Sequence, residues 1–475
     1  MYCEQTRRWR RRGGWLLALL WLAGCGGAGR PPRGEDGGAG PDGGGADGAL
    51  DGGPDAVPPE EGGTVDGGLE VFAWVSAGDV EGRDLTGYLR GMQLDDGRVV
   101  FCYGAADQFG GFTAYDPATD EWTLRVSVPN VATLGCAHMT QLEDGLVVWG
   151  GGATEMGDGL EGNRYYFEPG GALGPSPDTG GLESLLYDPA IDTFSRGPTL
   201  QEMRGMEAGV AWPGPGGGLV LVGGVRGYLN PAPPPGVGES YRMYLSDPLA
   251  SAERYDPASN RWVAIASMSQ PRWGHGLVAL PDGTLLAMGG YQDPIRDELY
   301  QGEPTATAER YDPASDRWTS VAPMPEGRAF FAAAVLPSGK VLVAGGFGPG
   351  QRIRSTSWLY DPGADRWEEA ERMPQAAALS GMAVLEDGSV LLVGGIRGWR
   401  PRPGSAVHFV TTVQRYREGR GWSLGVPVPD PWLSPAVVAL RDGRVLVAGG
   451  YGVGSTGWTR TSPGAVITDR SLLDD

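Results

Sequence analysis

The chain has 475 residues and a formal charge of −20, which argues against general nucleic-acid binding, because that depends on basic groups neutralising phosphates. Its 82 glycines and 39 prolines, with apolar residues in short bursts rather than in amphipathic stretches of helical length, exclude a helical bundle and point to an all-β chain. Length alone suggests two or three domains, but regular repetition favours one large repeat domain.

Residues 1–25 read as an export signal. Arg7, Arg8, Arg10, Arg11 and Arg12 supply a positive start, and Trp15 to Leu22 form an apolar stretch too short to span a bilayer as a mature helix. The segment closes on Leu22-Ala23-Gly24-Cys25, which resembles the bacterial lipobox. That resemblance implies diacylglycerol on the Cys25 thiol, cleavage before it, and a membrane partner through the lipid. Gly26 is not the aspartate that retains some lipoproteins at the inner membrane, so the expected location is the cell envelope, at the outer rather than the inner membrane. An ordinary secretory signal with an incidental cysteine is the alternative.

Residues 26–68 are mainly Gly, Asp, Pro and Ala, as in Asp42-Gly43-Gly44-Gly45-Ala46-Asp47-Gly48. With few large apolar side chains the segment cannot offset its conformational entropy, and it is expected to be a disordered tether. A calcium-binding repeat is the other reading of Asp-Gly runs, but the spacing is irregular and no Glu closes a loop.

From Leu69 two short patterns alternate. The first is an aspartate-glycine turn, an apolar run of strand length and a glycine pair, as in Asp282-Gly283 to Gly289-Gly290 and Asp387-Gly388 to Gly394-Gly395. Glycine accepts positive φ, so Asp-Gly between apolar runs predicts a hairpin. The second is Tyr-Asp-Pro followed by an aromatic residue seven positions after the Tyr: Tyr115 to Trp122, Tyr187 to Phe194, Tyr255 to Trp262, Tyr311 to Trp318 and Tyr360 to Trp367. Proline fixes φ and Asx side chains accept local backbone hydrogen bonds, so this predicts a second hairpin with a ring on each arm.

A Gly-Gly pair followed by spaced Tyr and Trp resembles the kelch family, over residues 69–475. The resemblance implies a β-propeller with one repeat per blade. The expected fold is all-β: a seven-bladed kelch-type propeller of four-stranded antiparallel blades. Seven first hairpins are counted, but after Gly450 only Ala465-Val466-Ile467-Thr468 remains. The missing strand is assigned to Val71-Phe72-Ala73-Trp74-Val75, so that the two chain ends share a blade and leave no exposed edge. Six blades is the alternative count.

Both turns of a unit fall on one face, and the other face carries the loops after Gly-Gly and between blades, which vary in length. The long ones, Val225 to Ser251 and Ile396 to Thr411 among them, are where binding is usually built. Arg226, Tyr228, Tyr291, Arg397 and Trp399 fall there, and Arg90, Arg204, Arg272 and Arg328 precede or begin first strands near the channel mouth. Such a set could hold an anionic or polyol ligand by bidentate hydrogen bonds and stacking. Equally, the arginines could pair with carboxylates of neighbouring blades.

The expected role is therefore non-catalytic recognition of a protein or glycan by a monomer, without a cofactor and with no catalytic or metal-binding residue assigned. A carbohydrate-active enzyme is the runner-up. Kelch propellers also resemble copper-radical oxidases, but His138, His275 and His408 are scattered and none follows a Tyr. A mutarotase or epimerase would need a convergent acid/base pair that is not visible. Cys102 and Cys136 could form a disulfide between adjacent blades, or be buried small hydrophobes.

Overall fold

Asp282-Gly283 reverses the chain because Gly283 sits at φ 81°, its amide donating to Leu280 O at 3.0 Å while the Leu280 amide donates to Thr284 O at 2.8 Å. The arms, Gly276–Ala279 and Leu285–Met288, then pair antiparallel with Gly276 opposite Met288. Leu285–Met288 is buried at every position, as a strand covered on both faces must be. The second hairpin puts Tyr311 directly opposite Trp318, ring centroids 5.1 Å apart. The Tyr311 hydroxyl donates to Asp316 Oδ1 at 2.7 Å, and Asp316 takes the left-handed φ of 47° that ends the turn.

That Tyr-to-Asx bond recurs from Tyr115, Tyr187, Tyr255 and Tyr360 to the residue five positions on. It explains why the pattern needs an aspartate or asparagine before its closing strand. The same carboxylates also link neighbours: Asp316 Oδ1 accepts the Ala266 amide, and Asp365 Oδ1 the Ala322 amide, each at 2.8 Å.

The structure is a computed structural model describing residues 74–76, 90–103, 111–127, 138–150, 183–202, 204–205, 207–230, 242–294, 302–398, 408–428, 432–450 and 465–468. Among these the chain forms seven four-stranded antiparallel sheets. The first six begin at Arg90–Gln93, His138–Gln141, Ala208–Ala211, Gly276–Ala279, Ala332–Val335 and Gly381–Val384. The seventh combines Ala436–Ala439, Val445–Ala448 and Ala465–Thr468 with Trp74–Ser76 from the other end of the chain, in the register Trp74 to Thr468, Val75 to Ile467 and Ser76 to Val466. Val71 to Ala73, Cys136, the signal with Cys25, and the tether lie outside the described residues.

Each sheet buries its second strand against the next. Val220 and Val222 meet Leu285, Ala287 and Tyr311, Leu286 and Met288 meet Val341, Val343 and Tyr360, and Leu391 and Val393 meet Val445 and Val447. The seventh sheet packs on the first through Val438 and Leu446 against Val99 and Phe101. On the turn face, Arg441 Nη1 donates to Asp95 O at 3.0 Å and Arg444 Nη2 to Pro117 O at 2.6 Å, tying the same two sheets.

The glycine pairs are seams between sheets. Gly224, Gly290, Gly346 and Gly395 donate their amides to Arg272, Arg328, Ala377 and Trp432 carbonyls at 2.9, 2.7, 2.7 and 2.6 Å. Gly289, at φ 66°, would place a Cβ 2.4 Å from Arg328 O, so the approach tolerates no side chain.

Two segments expected as loops contain strands. Val225–Asn230 pairs with Arg242–Pro248 and with Arg204–Gly205, and Ile396–Gly398 pairs with His408–Phe409. Among the described residues, the residue after a glycine pair bridges back to the start of its own unit, as Tyr291 does to Trp273, Phe347 to Ala329 and Ile396 to Ala378.

Candidate functional site

The arginines sought as ligand contacts divide into two groups. Arg204, Arg272 and Arg328 are buried and engaged within the fold, pairing with carboxylates as the second of the two readings has it. Arg272 Nη1 donates to Gly289 O and Thr307 O, both at 3.0 Å, and Nη2 to Glu309 Oε1 at 2.7 Å. Arg204 repeats this with Gly223 O, Ser251 O and Glu253 Oε1 at 3.0, 3.0 and 2.7 Å. Arg328 donates to Gly345 O at 2.7 Å and Glu326 Oε2 at 3.0 Å, and lies 4.3 Å over the Trp358 ring. Burial lowers Arg272 below the usual guanidinium range and Arg328 to about 10.

The carboxylates of these ties were not singled out in the sequence, although a signal was there. Glu253 and Glu309 stand two residues before the turn tyrosine, in Ala252-Glu253-Arg254-Tyr255 and Ala308-Glu309-Arg310-Tyr311. In the sixth sheet the same place holds Gln414, and Ala377 replaces the arginine. Where the cation is gone, the anion is gone as well.

Tyr291 is also buried. Its hydroxyl donates to Gln351 Oε1 at 2.7 Å, its ring lies 4.9 Å from Trp273, and burial raises its pKa above the usual phenol value. It forms part of an apolar plug with Val225, Trp273 and Ala329. Tyr228 lies on Val225–Asn230 opposite Tyr244; its side chain, and Trp399 entirely, fall outside the described residues.

Arg90, Arg226 and Arg397 are exposed. Arg226 and Arg397 each stand two residues after a glycine pair, on Val225–Asn230 and Ile396–Gly398. Arg226 is 55% exposed and reaches Glu202 Oε1 at 2.6 Å, a pair whose solvation leaves it worth little and easily exchanged for another anion.

Two histidines lie inward near strand starts. His138 opens the first strand of the second sheet and faces Glu207 O through Nε2 at 3.2 Å. His275 immediately precedes the first strand of the fourth, and among the described residues neither of its ring nitrogens meets a partner. Burial is the main cause that lowers His138 to about 3, with the charge of Arg90 adding to it. Burial likewise takes His275 well below the imidazole range, aided by Arg272 and His138. No three His, Cys, Asp or Glu side chains converge among the described residues.

Comparison with known proteins agrees with this architecture. Residues 274–325 match the Kelch motif. Kelch-like protein 35 of Mus musculus is 43% identical over 90 residues, 19% of this chain and 14% of that protein. Kelch-like protein 28 of Mus musculus is 30% identical over 99 residues, 21% of this chain and 17% of that protein. The match thus spans less than a fifth of either relative's length. A fungal alcohol oxidase of the AA5 family, solved in complex with copper, superposes with a TM-score of 0.57 at 14% identity, over 83% of this chain and 75% of that one. At that identity the likeness is one of fold.

Proposed function

We propose that the kelch repeats close into a seven-bladed propeller serving as a non-catalytic binding module for a protein or glycan at the bacterial cell envelope, anchored by lipid on Cys25 and spaced from the membrane by residues 26–68. Closure is supported by the pairing of Trp74–Ser76 with Ala465–Thr468 and by the arginines of the seventh sheet reaching the first. The binding role rests on one observation above others. Arg226 and Arg397 occupy equivalent places after two glycine pairs and are exposed, whereas Arg204, Arg272 and Arg328 are buried.

Exposed guanidinium groups on the loop side of a rigid scaffold suit anionic or hydroxylated partners, which they engage through forked hydrogen bonds. Pull-down of envelope proteins and glycans with the whole protein, repeated with Arg226→Ala and Arg397→Ala, tests this. Retention of a partner by wild type and its loss from the double variant is expected. Unchanged capture by the variant removes the site, and turnover of a captured glycan would favour an enzyme instead. Labelling with a fatty acid that is lost in Cys25→Ser tests the anchor.

A further inference from the structure

The units of sheets three to six repeat one small arrangement beside their glycine pairs. The residue after each pair bridges the start of its own unit: Val225 to Gly205, Tyr291 to Trp273, Phe347 to Ala329 and Ile396 to Ala378. The residue that follows is Arg226, Gln292, Gly348 or Arg397, and three residues before the bridged one stands Glu202, Gln270, Glu326 or Gln375. The bridge brings these two places together. Arg226 Nη2 lies 2.6 Å from Glu202 Oε1, and Gln292 Nε2 donates to Gln270 Oε1. In unit five Arg354 fills the place over Gly348, where a Cβ would lie 2.4 Å from its Nε, and its Nη2 reaches Glu326 Oε1 at 2.5 Å.

Unit six breaks the arrangement on one side only. Arg397 keeps the cation beside the same bridge, in which Ala378 N donates to Ile396 O at 3.0 Å and Ile396 N to Ala378 O at 2.9 Å. The carboxylate is replaced by the neutral Gln375. The charges deeper in the unit are gone as well, since Ala377 and Gln414 stand where unit four has Arg272 and Glu309. Gln414 Oε1 accepts the Gln375 main-chain amide at 2.9 Å, and among the described residues Gln375 Oε1 and Gln414 Nε2 are buried without a partner. Residues 399–407, between Ile396–Gly398 and His408–Phe409, contain no Asp or Glu. Arg397 is exposed and has no ion pair among the described residues.

We propose that Arg397 is the subsite for a carboxylate supplied from outside the chain, which takes the place in unit six that Glu202 and Glu326 take in units three and five. The fold itself shows the occupant twice, a carboxylate oxygen at 2.6 and 2.5 Å from the outer guanidinium. A guanidinium offers such a group two parallel N–H donors. Glutamate at position 375 would fill the place and repel a second anion, whereas the glutamine amide carries no charge and has N–H groups of its own to donate. Arg226 already holds its carboxylate, so of the two exposed arginines Arg397 is the one left open. The inference rests on the binding role proposed above, which it narrows to one guanidinium and one ligand chemistry.

His408 pairs with Gly398, next to Arg397, and a Cβ on Gly398 would lie 3.3 Å from its Cδ2, so its imidazole reports on the site. His138 and His275, in the second and fourth units, report on the fold. NMR of the guanidinium and imidazole signals of the whole protein is recorded as sodium acetate or neutral acetamide is added at constant pH and ionic strength. Acetate is expected to shift the Arg397 and His408 signals saturably, and acetamide is not, while His138 and His275 stay in place. Read at His408, Arg397→Gln is expected to weaken acetate binding at least about tenfold, the loss of a charged hydrogen bond. Gln375→Glu, which copies Glu202 and Glu326, is expected to close the site and weaken it as much. Glucuronate and acetyl-aspartate amide replace acetate in two further arms, and the tighter of them tells whether a sugar or a peptide brings the carboxylate. The proposal is overturned if acetate moves neither signal, if acetamide moves them equally, or if acetate binds either variant as it binds the wild type. Partner capture that is lost with Arg226→Ala and Arg397→Ala together but survives in Gln375→Glu would leave the binding module standing and remove this subsite.

Discussion

Arg272 and Glu309 lie 2.7 Å apart, each almost wholly removed from solvent. The carboxylate's other oxygen caps the Ser269 amide at 2.7 Å, so one pair ties the entry of the fourth sheet to its third strand. Removing one partner strands the other: Arg272→Ala is expected to destabilise the protein by about 3–5 kcal/mol. The double variant Arg272→Ala with Glu309→Gln copies what Ala377 and Gln414 do naturally in the sixth sheet, and should lose less than the single one. Urea unfolding of both variants checks this, and a double variant worse than the single would contradict it.

The turn aspartates outweigh their tyrosines. Tyr311→Phe gives up one hydrogen bond, about 1 kcal/mol. Asp316→Ala gives up that bond and the cap on Ala266, and keeps a left-handed backbone at 47° that alanine dislikes, for about 2–3 kcal/mol together. Thermal unfolding of the two variants should rank them in this order.

Two glycines at similar φ separate conformation from contact. Gly283→Ala at φ 81° meets nothing nearer than Pro213 O at 3.9 Å, and should cost about 1–2 kcal/mol, the strain of the left-handed backbone alone. Gly289→Ala adds a clash with Arg328 O at 2.4 Å and breaks the seam, so it should destabilise by clearly more, about 3 kcal/mol or above. Equal losses would refute the seam.

The turns were legible in the sequence because their chemistry is local. Asp-Gly, Tyr-Asp-Pro and the aspartate five residues after the tyrosine each act within one hairpin, and the pairing of Trp74–Ser76 with Ala465–Thr468 was accessible by counting strands. The arginines were not legible one by one. Whether Arg204 or Arg226 is buried depends on a carboxylate elsewhere in the chain, Glu253 for the first and the half-exposed Glu202 for the second. Comparing repeats column by column, Arg with Glu and Ala with Gln, carries that information; a single repeat does not. The same holds for His138 and His275, whose burial follows from Gly209 and Gly223 on another sheet.

Stability should fall in acid. Both His138, lowered to about 3, and His275, lowered well below its ordinary value, bind protons more readily unfolded than folded. Their contribution is fully present above the unfolded imidazole pKa of about 6.5 and fades as pH falls below it, by up to about 1.4 kcal/mol per pH unit for each ring. Tryptophan fluorescence during urea unfolding, from neutral pH downward, should show a midpoint that drops below about pH 6.5. His138→Gln should flatten the slope, and a midpoint constant through this range would contradict the assignment.

The central claim is that the chain closes on itself through Trp74–Ser76, and amide hydrogen exchange at that strand tests it most directly. Closure predicts that Val75 and Ile467, paired across the junction, are protected to the same degree as Leu446, which pairs with Ile467 from the other side. Exchange of the Trp74–Ser76 amides at the rate of an unstructured peptide, with Leu446 still protected, would contradict it.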